Sequence, residues 1–186
     1  MKLHLIQPRE LYGPPERQEE LSVAWCLNDA FFDLVTVPDG RPSFTQMFAL
    51  CRPDAVNVIA NSDIHMDHTL RDNAHRLDER EVWALSRYED MGTTLLPYHR
   101  SDSQDAWVVL GDGHAIDAPF AMGVPGCDNA LAHILTQAGY LVTNPCQTVR
   151  AIHLHRSAYR TYGEGRGKPK EYRIPPPYQQ VQPCSL

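Results

Sequence analysis

The sequence has no apolar run that approaches the ~20 residues needed to cross a membrane, and its first residues include no apolar region long enough for a signal peptide. Its five cysteines form no Cys-x-x-Cys pair, which argues against both a zinc site and a disulfide framework. No internal repeat is visible. We therefore expect a cytoplasmic protein with reduced thiols and no membrane span.

An excess of positive charge is missing as well. Lys and Arg number 17 against 23 Asp and Glu, and the net charge of −6 argues against a protein that coats nucleic acid non-specifically. Basic side chains are nonetheless concentrated towards the end of the sequence, at Arg150, Arg156, Arg160, Arg166, Lys168, Lys170 and Arg173. Such a segment suits a ligand that carries phosphate, although a solvated tail would have the same composition.

Apolar residues make up 42% of the 186 residues, which is enough for one domain with a substantial core. The pattern of apolar residues predicts strands over 2–7, 34–37, 56–60, 82–86, 106–110, 141–142 and 149–152. It predicts helices over 16–28, 43–50 and 128–138, and a polar loop over 88–105. We therefore predict an α/β domain over residues 1–162, with a mixed, mostly parallel sheet flanked by helices, and a Gly/Pro-rich, basic, extended tail over 163–186.

The polar segment 61–67 directly follows the apolar strand predicted over 56–60. In open α/β sheets, ligands bind at the carboxyl ends of the strands, and carboxylate oxygens suit Mg²⁺ and Mn²⁺. Asp63 is therefore predicted to hold such an ion, with Asn61 contributing a neutral oxygen or a sugar contact. In the alternative interpretation, Ser62 or Asp63 simply caps a helix over 66–75.

His153 and His155 follow a predicted strand, and the alternation of side chains in an extended segment puts both imidazoles on one face. Imidazole is a common ligand of transition metals, so one of the two could complete a metal site with Asp63. A pair of surface histidines at a strand edge would show the same spacing.

Three further residues could carry chemistry. Asp128 lies at a turn into a predicted helix, where backbone contacts can orient a general base, although the same position also suits a helix cap. Asp105 could bind sugar hydroxyls. Arg87, directly after the strand 82–86, could contact a phosphate or a donor sugar, or could pair with Glu89 on the surface.

In their order along the chain, these motifs resemble the GT-A glycosyltransferases, and in particular a compact bacterial and viral group among them. The matching segments are Arg17-Gln18-x-Glu20-Leu21, Arg41-Pro42-Ser43-Phe44, Ile59-Ala60-Asn61-Ser62-Asp63-Ile64, Ala84-Leu85-Ser86-Arg87-Tyr88, Ser103-Gln104-Asp105-Ala106-Trp107, Gly126-Cys127-Asp128-Asn129 and His153-Leu154-His155. The resemblance extends from about residue 2 to residue 162, and the ordered set is far more specific than any single segment.

The resemblance implies a GT-A-like (Rossmann-like) domain that transfers a sugar from a nucleotide-diphosphate donor, usually a UDP-sugar. It implies Mn²⁺ or Mg²⁺ on Asp63, a histidine ligand from His153 or His155, and a carboxylate, Asp128, that faces the acceptor. The expected acceptor is a hydroxyl group of a glycan, with a modified base in DNA as another option.

A second set of residues is expected to bind the donor: Asp39, Arg41, Asn61, Ser62, Arg87 and Asp105. Within this hypothesis Asp39 and Arg41, just after the second strand, form the pocket for the base and the ribose. Arg87 and Asp105 orient the donor sugar.

Two other functions fit parts of the pattern. A metallophosphoesterase would use Asp63 and His65 together with His153 and His155, with Asp112 as a second aspartate, but the Gly-Asn-His-Asp/Glu segment of that class is missing. A non-catalytic module that binds nucleotide sugars or nucleic acid through the basic segment would need no acid/base group at all.

Overall fold

The structure is a computed structural model that describes residues 1–112, 116–157, 159 and 173–186. The described part of the chain forms ten strands and four α-helices. The strands are β1 (Lys2–Ile6), β2 (Leu34–Thr36), β3 (Ala55–Ala60), β4 (Ile64–Met66), β5 (Glu81–Leu85), β6 (Arg87–Asp90), β7 (Leu95–Pro97), β8 (Ala106–Leu110), β9 (Leu141–Thr143) and β10 (Ala151–His153). The helices are α1 (Pro15–Phe31), α2 (Phe44–Phe48), α3 (His68–Asn73) and α4 (Cys127–Gln137), and a 3₁₀ turn, Ala74–Arg76, extends α3.

The predicted α/β class is confirmed, but the described strands form two mixed sheets rather than one mostly parallel sheet. The larger sheet has the order β2–β1–β3–β8–β5–β9, and the smaller has the order β4–β10–β6–β7. In the larger sheet β8 is antiparallel to both of its neighbours, β3 and β5. The reason is that the chain leaves β5 at its carboxyl end and returns to that same end after β6 and β7, without a crossover helix.

The predicted polar loop over 88–105 is wrong in part, because it contains most of β6 and all of β7. These two strands form an antiparallel hairpin, with Glu89 paired to Leu96. The hairpin joins the smaller sheet through β10, which runs parallel to β6 and antiparallel to β4. The smaller sheet thus brings together residues that lie far apart in the sequence, such as Ile64 and His153.

The two neighbours of β1 are β2 and β3, both parallel to it. The chain passes from β1 through α1 to β2 on one side, then through α2 to β3 on the other side of β1. The strand order therefore reverses between β1 and β3. In open α/β sheets ligands bind beyond the carboxyl ends of the strands at such a switch point. Here the buried Gln7 side chain lies between these two ends and donates to the Asn61 and Ile64 carbonyls.

The starts of the helices decide which side chains remain free for a site. Asp67 caps α3, since its carboxylate accepts a hydrogen bond from the Thr69 N–H at 3.0 Å. The alternative in which Ser62 or Asp63 caps this helix is therefore wrong. Helix α4 begins after Gly126, whose φ of 84° favours glycine, so Asp128 lies in the first turn and not at the cap.

Of the predicted tail over 163–186, residues 163–172 lie outside the described residues, whereas residues 173–186 run in extended form along the domain. Backbone N–H groups of this segment donate to the carbonyls of Pro125, Asn129, Ser101 and Asn144. Val181 is 5% exposed and belongs to the core. No helix among the described residues is long and apolar enough to cross a membrane.

Candidate functional site

Asp63, His153 and His155 come together beyond the carboxyl end of β3. The Leu154 N–H donates to the Asp63 carbonyl at 2.9 Å, which fixes the two segments against each other. His153 Nε2 then lies 3.0 Å, and His155 Nδ1 3.9 Å, from Asp63 Oδ2. One candidate ligand atom from each residue lies within 4.8 Å of the other two. The structure therefore places the three residues that the sequence singled out for a metal in one site.

The hydrogen bonds of the two histidines test whether these residues fit a divalent ion. His153 Nδ1 faces Glu89 Oε2 at 2.6 Å, and His155 Nε2 faces the Tyr159 carbonyl at 2.5 Å. Both partners are acceptors, so each of these outer ring nitrogens carries the hydrogen. Burial lowers the pKa of His153, but its bonds to Asp63 and Glu89 raise it to about 9, so a metal ion would have to displace the proton that Nε2 donates to Asp63 before this nitrogen could act as a ligand. The donor set fits, and its two imidazoles favour a transition ion such as Mn²⁺ over Mg²⁺.

Positive charge surrounds the Asp63 carboxylate. The Arg17 guanidinium, whose side chain is 0% exposed, donates to Asp63 Oδ2 and also to Glu20 Oε2 at 3.0 Å. Burial alone would raise the pKa of Asp63, but the hydrogen bond from His153 and the charges of His153 and Arg17 hold it well below its usual range. Asp63 is therefore a carboxylate at every physiological pH, which is the form a metal requires.

Glu89 is a site residue that the sequence analysis did not single out. Burial raises the pKa of Glu89, yet the bonds from His153 and Arg87 lower it to about 2, so it remains ionised against the ring. A carboxylate in this position fixes the tautomer and the orientation of a metal-binding histidine. The only signal in the sequence is that Glu89 lies two residues after Arg87. Because residues 87–90 form a strand, this spacing places both side chains on one face.

We expect Glu89→Ala to weaken Mn²⁺ binding about 10- to 100-fold, because His153 loses the partner that orients it. Isothermal titration with MnCl₂ measures this change directly. Asp90→Ala is the matched control, since Asp90 is the next carboxylate on the same strand and pairs with Arg156 at 2.7 Å instead. Equal affinities for the two variants would show that Glu89 does not orient the ligand.

We call Asp63, His153 and His155 the metal-ligand cluster. A second hydrogen-bonded group next to it consists of Asp105, Asn61 and Arg87. Asn61 Nδ2 donates to Asp105 Oδ1 at 3.0 Å, and Arg87 Nη1 donates to Asp105 Oδ2 at 3.0 Å. Arg87 Nε also donates to Glu89 Oε1 at 2.7 Å, which joins this group to the metal-ligand cluster. Asn61 thus contacts the carboxylate of Asp105, whereas the carboxylate of Asp63 faces the two histidines.

Asp128 lies in the first turn of α4 and is half-buried. Burial and the negative charge of Asp105 raise its pKa to about 7, although hydrogen bonds from the Cys127 thiol and the Gln104 backbone N–H oppose the shift. A carboxylate with a pKa near neutrality can exchange a proton with substrate at physiological pH. Because Asp128 lies near Asp105, it adjoins the group formed by Asp105, Asn61 and Arg87.

Two of the predicted donor-binding residues, Asp39 and Arg41, lie apart from these groups, whereas Ser62 lies between Asn61 and Asp63 in the chain. Asp39 is exposed in the turn after β2, and Ser62 is half-buried, with its carbonyl accepting from Trp25 Nε1 at 2.8 Å. Arg41 donates to the Met122 carbonyl at 2.9 Å and lines a surface cavity. No hydrogen bond or ion pair between described residues joins Asp39 or Arg41 to Asp63.

Of the residues of the hydrolase alternative, Asp63, His153 and His155 converge, but His65 and Asp112 are not part of that cluster among the described residues. His65 pairs with Ile152 across β4 and β10, so it occupies the face of the smaller sheet opposite His153 and lies outside the metal-ligand cluster found among the described residues. Asp112 follows β8 at the end of the sheet where β3 begins, whereas Asp63 lies beyond the end where β3 stops. This arrangement counts against a metallophosphoesterase.

The basic segment is only partly within the described residues, since Arg160, Arg166, Lys168 and Lys170 lie outside them. Arg150 pairs with Asp67 at 2.6 Å, and Arg156 pairs with Asp90 at 2.7 Å. These two arginines are therefore neutralised by acidic partners within the domain.

Comparison with known proteins adds no relative. No family model matches the chain, and no similar protein is found among curated proteins or among solved structures.

Proposed function

We propose that this protein is a GT-A-like glycosyltransferase that moves a sugar from a nucleotide-diphosphate donor, a UDP-sugar, to a hydroxyl group of a glycan or, as a second option, of a modified DNA base. The observation that carries the proposal is the convergence of Asp63, His153 and His155 beside the switch point between β1 and β3. Diphosphates bind divalent ions, and open α/β sheets bind nucleotides beyond the carboxyl ends of their strands at a switch point. The five free thiols suit a reducing compartment, so the proposal includes a cytoplasmic location.

Asp63, His153 and His155 would hold the ion, which when bound acts as a Lewis acid on the diphosphate oxygens. Arg17 lies directly behind Asp63 and places a second, permanent positive charge next to the position of the diphosphate. Its contacts with Asp63 and Glu20 fix the direction of the guanidinium before any ligand arrives. This preorganisation means that little rearrangement is required when the leaving group gains charge.

Arg87 and Asp105 are suited to orient the donor sugar, because they are 16% and 11% exposed and hold each other at 3.0 Å. Hydroxyl groups can donate to the Asp105 oxygens and accept from the guanidinium. Asn61 completes this group, with Ser62 next to it in the chain. Arg41, with Asp39 nearby, is proposed to contact the base and the ribose.

Asp128 is proposed as the base that takes the proton of the acceptor hydroxyl if the reaction inverts the anomeric centre. Its raised pKa of about 7 suits that role. If configuration is retained, the same carboxylate would bind the acceptor hydroxyl instead.

The proposal is tested by the melting temperature of the protein with nucleotide sugars, each with and without MnCl₂. A ligand that binds only the folded form at 100 times its Kd adds about 2.7 kcal/mol, or roughly 5 to 11 °C for a domain of this size. We expect that shift for a UDP-sugar, and only when Mn²⁺ is present. Stabilisation by phosphate monoesters but by no nucleotide sugar would contradict the proposal and favour the hydrolase; stabilisation by UDP with no transfer to any acceptor would favour the non-catalytic module.

A further inference from the structure

The β6–β7 hairpin continues the site into an apolar surface. His153 pairs with Glu89 across β10 and β6, and Glu89 pairs with Leu96 across β6 and β7. Paired residues on neighbouring strands project from the same face, so these three side chains form one row. Because strands are about 4.8 Å apart, the Leu96 backbone lies only about 10 Å from that of His153.

Tyr98 extends this surface in the next row. Its N–H donates to the Arg87 carbonyl at 3.0 Å, and the Arg87 guanidinium carbon lies 4.3 Å from the centre of its ring. Leu96 is nevertheless 50% exposed and Tyr98 37% exposed. Met91, at the turn of the hairpin, is a third exposed apolar residue, at 58%. We call Leu96 and Tyr98, with Met91 at their margin, the hairpin surface.

We propose that the hairpin surface binds an apolar group of the acceptor, an alkyl or aryl moiety attached to the molecule that carries the reacting hydroxyl. This inference rests on the proposed transferase function, because it assigns the acceptor to one side of the metal-ligand cluster. The apolar group must be attached close to the hydroxyl, since Tyr98 packs against Arg87, whose partner Asp105 lies near the proposed base Asp128.

The size and chemistry of the surface favour this occupant over others. Two or three side chains offer far less area than the ~800 Å² that each partner buries in a typical stable protein complex. The guanidinium groups of Arg87 and Arg100 lie 4.3 Å and 5.8 Å from the centre of the Tyr98 ring, and Arg100 also donates to its hydroxyl, so the apolar part of the surface is mainly the Leu96 side chain. An alkyl or aryl group fits such a surface better than a sugar ring, which would need an open aromatic face to stack on.

The test compares octyl β-D-glucoside, below its micelle concentration, with methyl β-D-glucoside by two-dimensional NMR of the ¹⁵N-labelled full chain. We expect octyl glucoside alone to shift the amide signals of Leu96 and Tyr98. Leu96→Ser should raise the Kd for octyl glucoside roughly five-fold, because the octyl chain loses its contact with about half of a leucine side chain. Leu141→Ser is the matched control, since Leu141 is a 64% exposed leucine on edge strand β9 of the other sheet.

Equal binding of the two glucosides, or equal weakening by Leu96→Ser and Leu141→Ser, would overturn the inference. The proposed function is judged separately, by the stabilisation of the same samples with UDP-sugar and Mn²⁺. If that stabilisation is present and no alkyl preference is found, only the inference about the acceptor fails. If the stabilisation is absent, the transferase proposal fails, and the inference about the acceptor fails with it.

Discussion

Asp63→Ala should abolish binding of Mn²⁺ and, in metal-free buffer, lower the free energy of unfolding by about 3 kcal/mol. The first effect follows from the loss of the carboxylate that both histidines face. The second follows because the buried Arg17 guanidinium would keep Glu20 but lose its contact with Asp63. Titration with MnCl₂ measures the first effect, and thermal unfolding in EDTA measures the second, as a decrease of roughly 6 to 12 °C.

Asp54→Ala provides the control for this experiment. Asp54 also forms an ion pair, with Lys2 at 3.0 Å, but both side chains are at least half exposed, so the variant should unfold like the wild type and bind Mn²⁺ normally. Retention of full Mn²⁺ affinity by Asp63→Ala would refute the assignment of the metal site, whatever the change in stability.

Asp128→Asn should reduce the rate of sugar transfer by about 10²- to 10⁴-fold while leaving the fold intact. The amide can still accept the hydrogen bonds from the Cys127 thiol and the Gln104 N–H, but it cannot take a proton. The assay is the release of UDP from the donor that the melting-temperature screen identifies. Asp72→Asn, on the exposed side of α3, is the control and should be fully active.

Stability distinguishes this loss of activity from misfolding. The pKa of Asp128 rises from 3.8 to about 7 on folding, so its ionisation costs stability as the pH increases through that range. Asp128→Asn removes this cost and should melt at or above the wild-type temperature at pH 8. A variant that is as stable as expected, yet loses less than about ten-fold in rate, would show that Asp128 is not the base.

The parts of the fold that the sequence predicted are those with a strong local signal. Strands β3 and β8 are almost continuous apolar runs, and the helix predicted over 128–138 agrees with α4 to within a residue. Strand β6 consists of Arg87, Tyr88, Glu89 and Asp90, all half-buried, and its composition is that of a loop. It is a strand because β7 and β10 pair with it, and this long-range interaction overrides local preference.

The residues of the candidate site could likewise be predicted only where the sequence carries a strong local signal. Asp63 and the two histidines have ligand chemistry and lie next to predicted strands, so residue type and position were sufficient to select them. Glu89 has no such signal, and Arg17 appeared only within a matching segment without an assigned role, because a charged residue in a helix or a polar segment is usually solvated. Only the contacts of Arg17 with Asp63 and of Glu89 with His153 reveal their role.

The position of β10 between β4 and β6 also determines when the protein can be completed during synthesis. Until residues 151–153 leave the ribosome, β4 has no partner in the smaller sheet and one edge of the β6–β7 hairpin is unpaired. A nascent chain in which β10 has not yet formed therefore exposes strand edges that other nascent chains could pair with. The same short strand that supplies His153 thus covers the edges of β4 and β6.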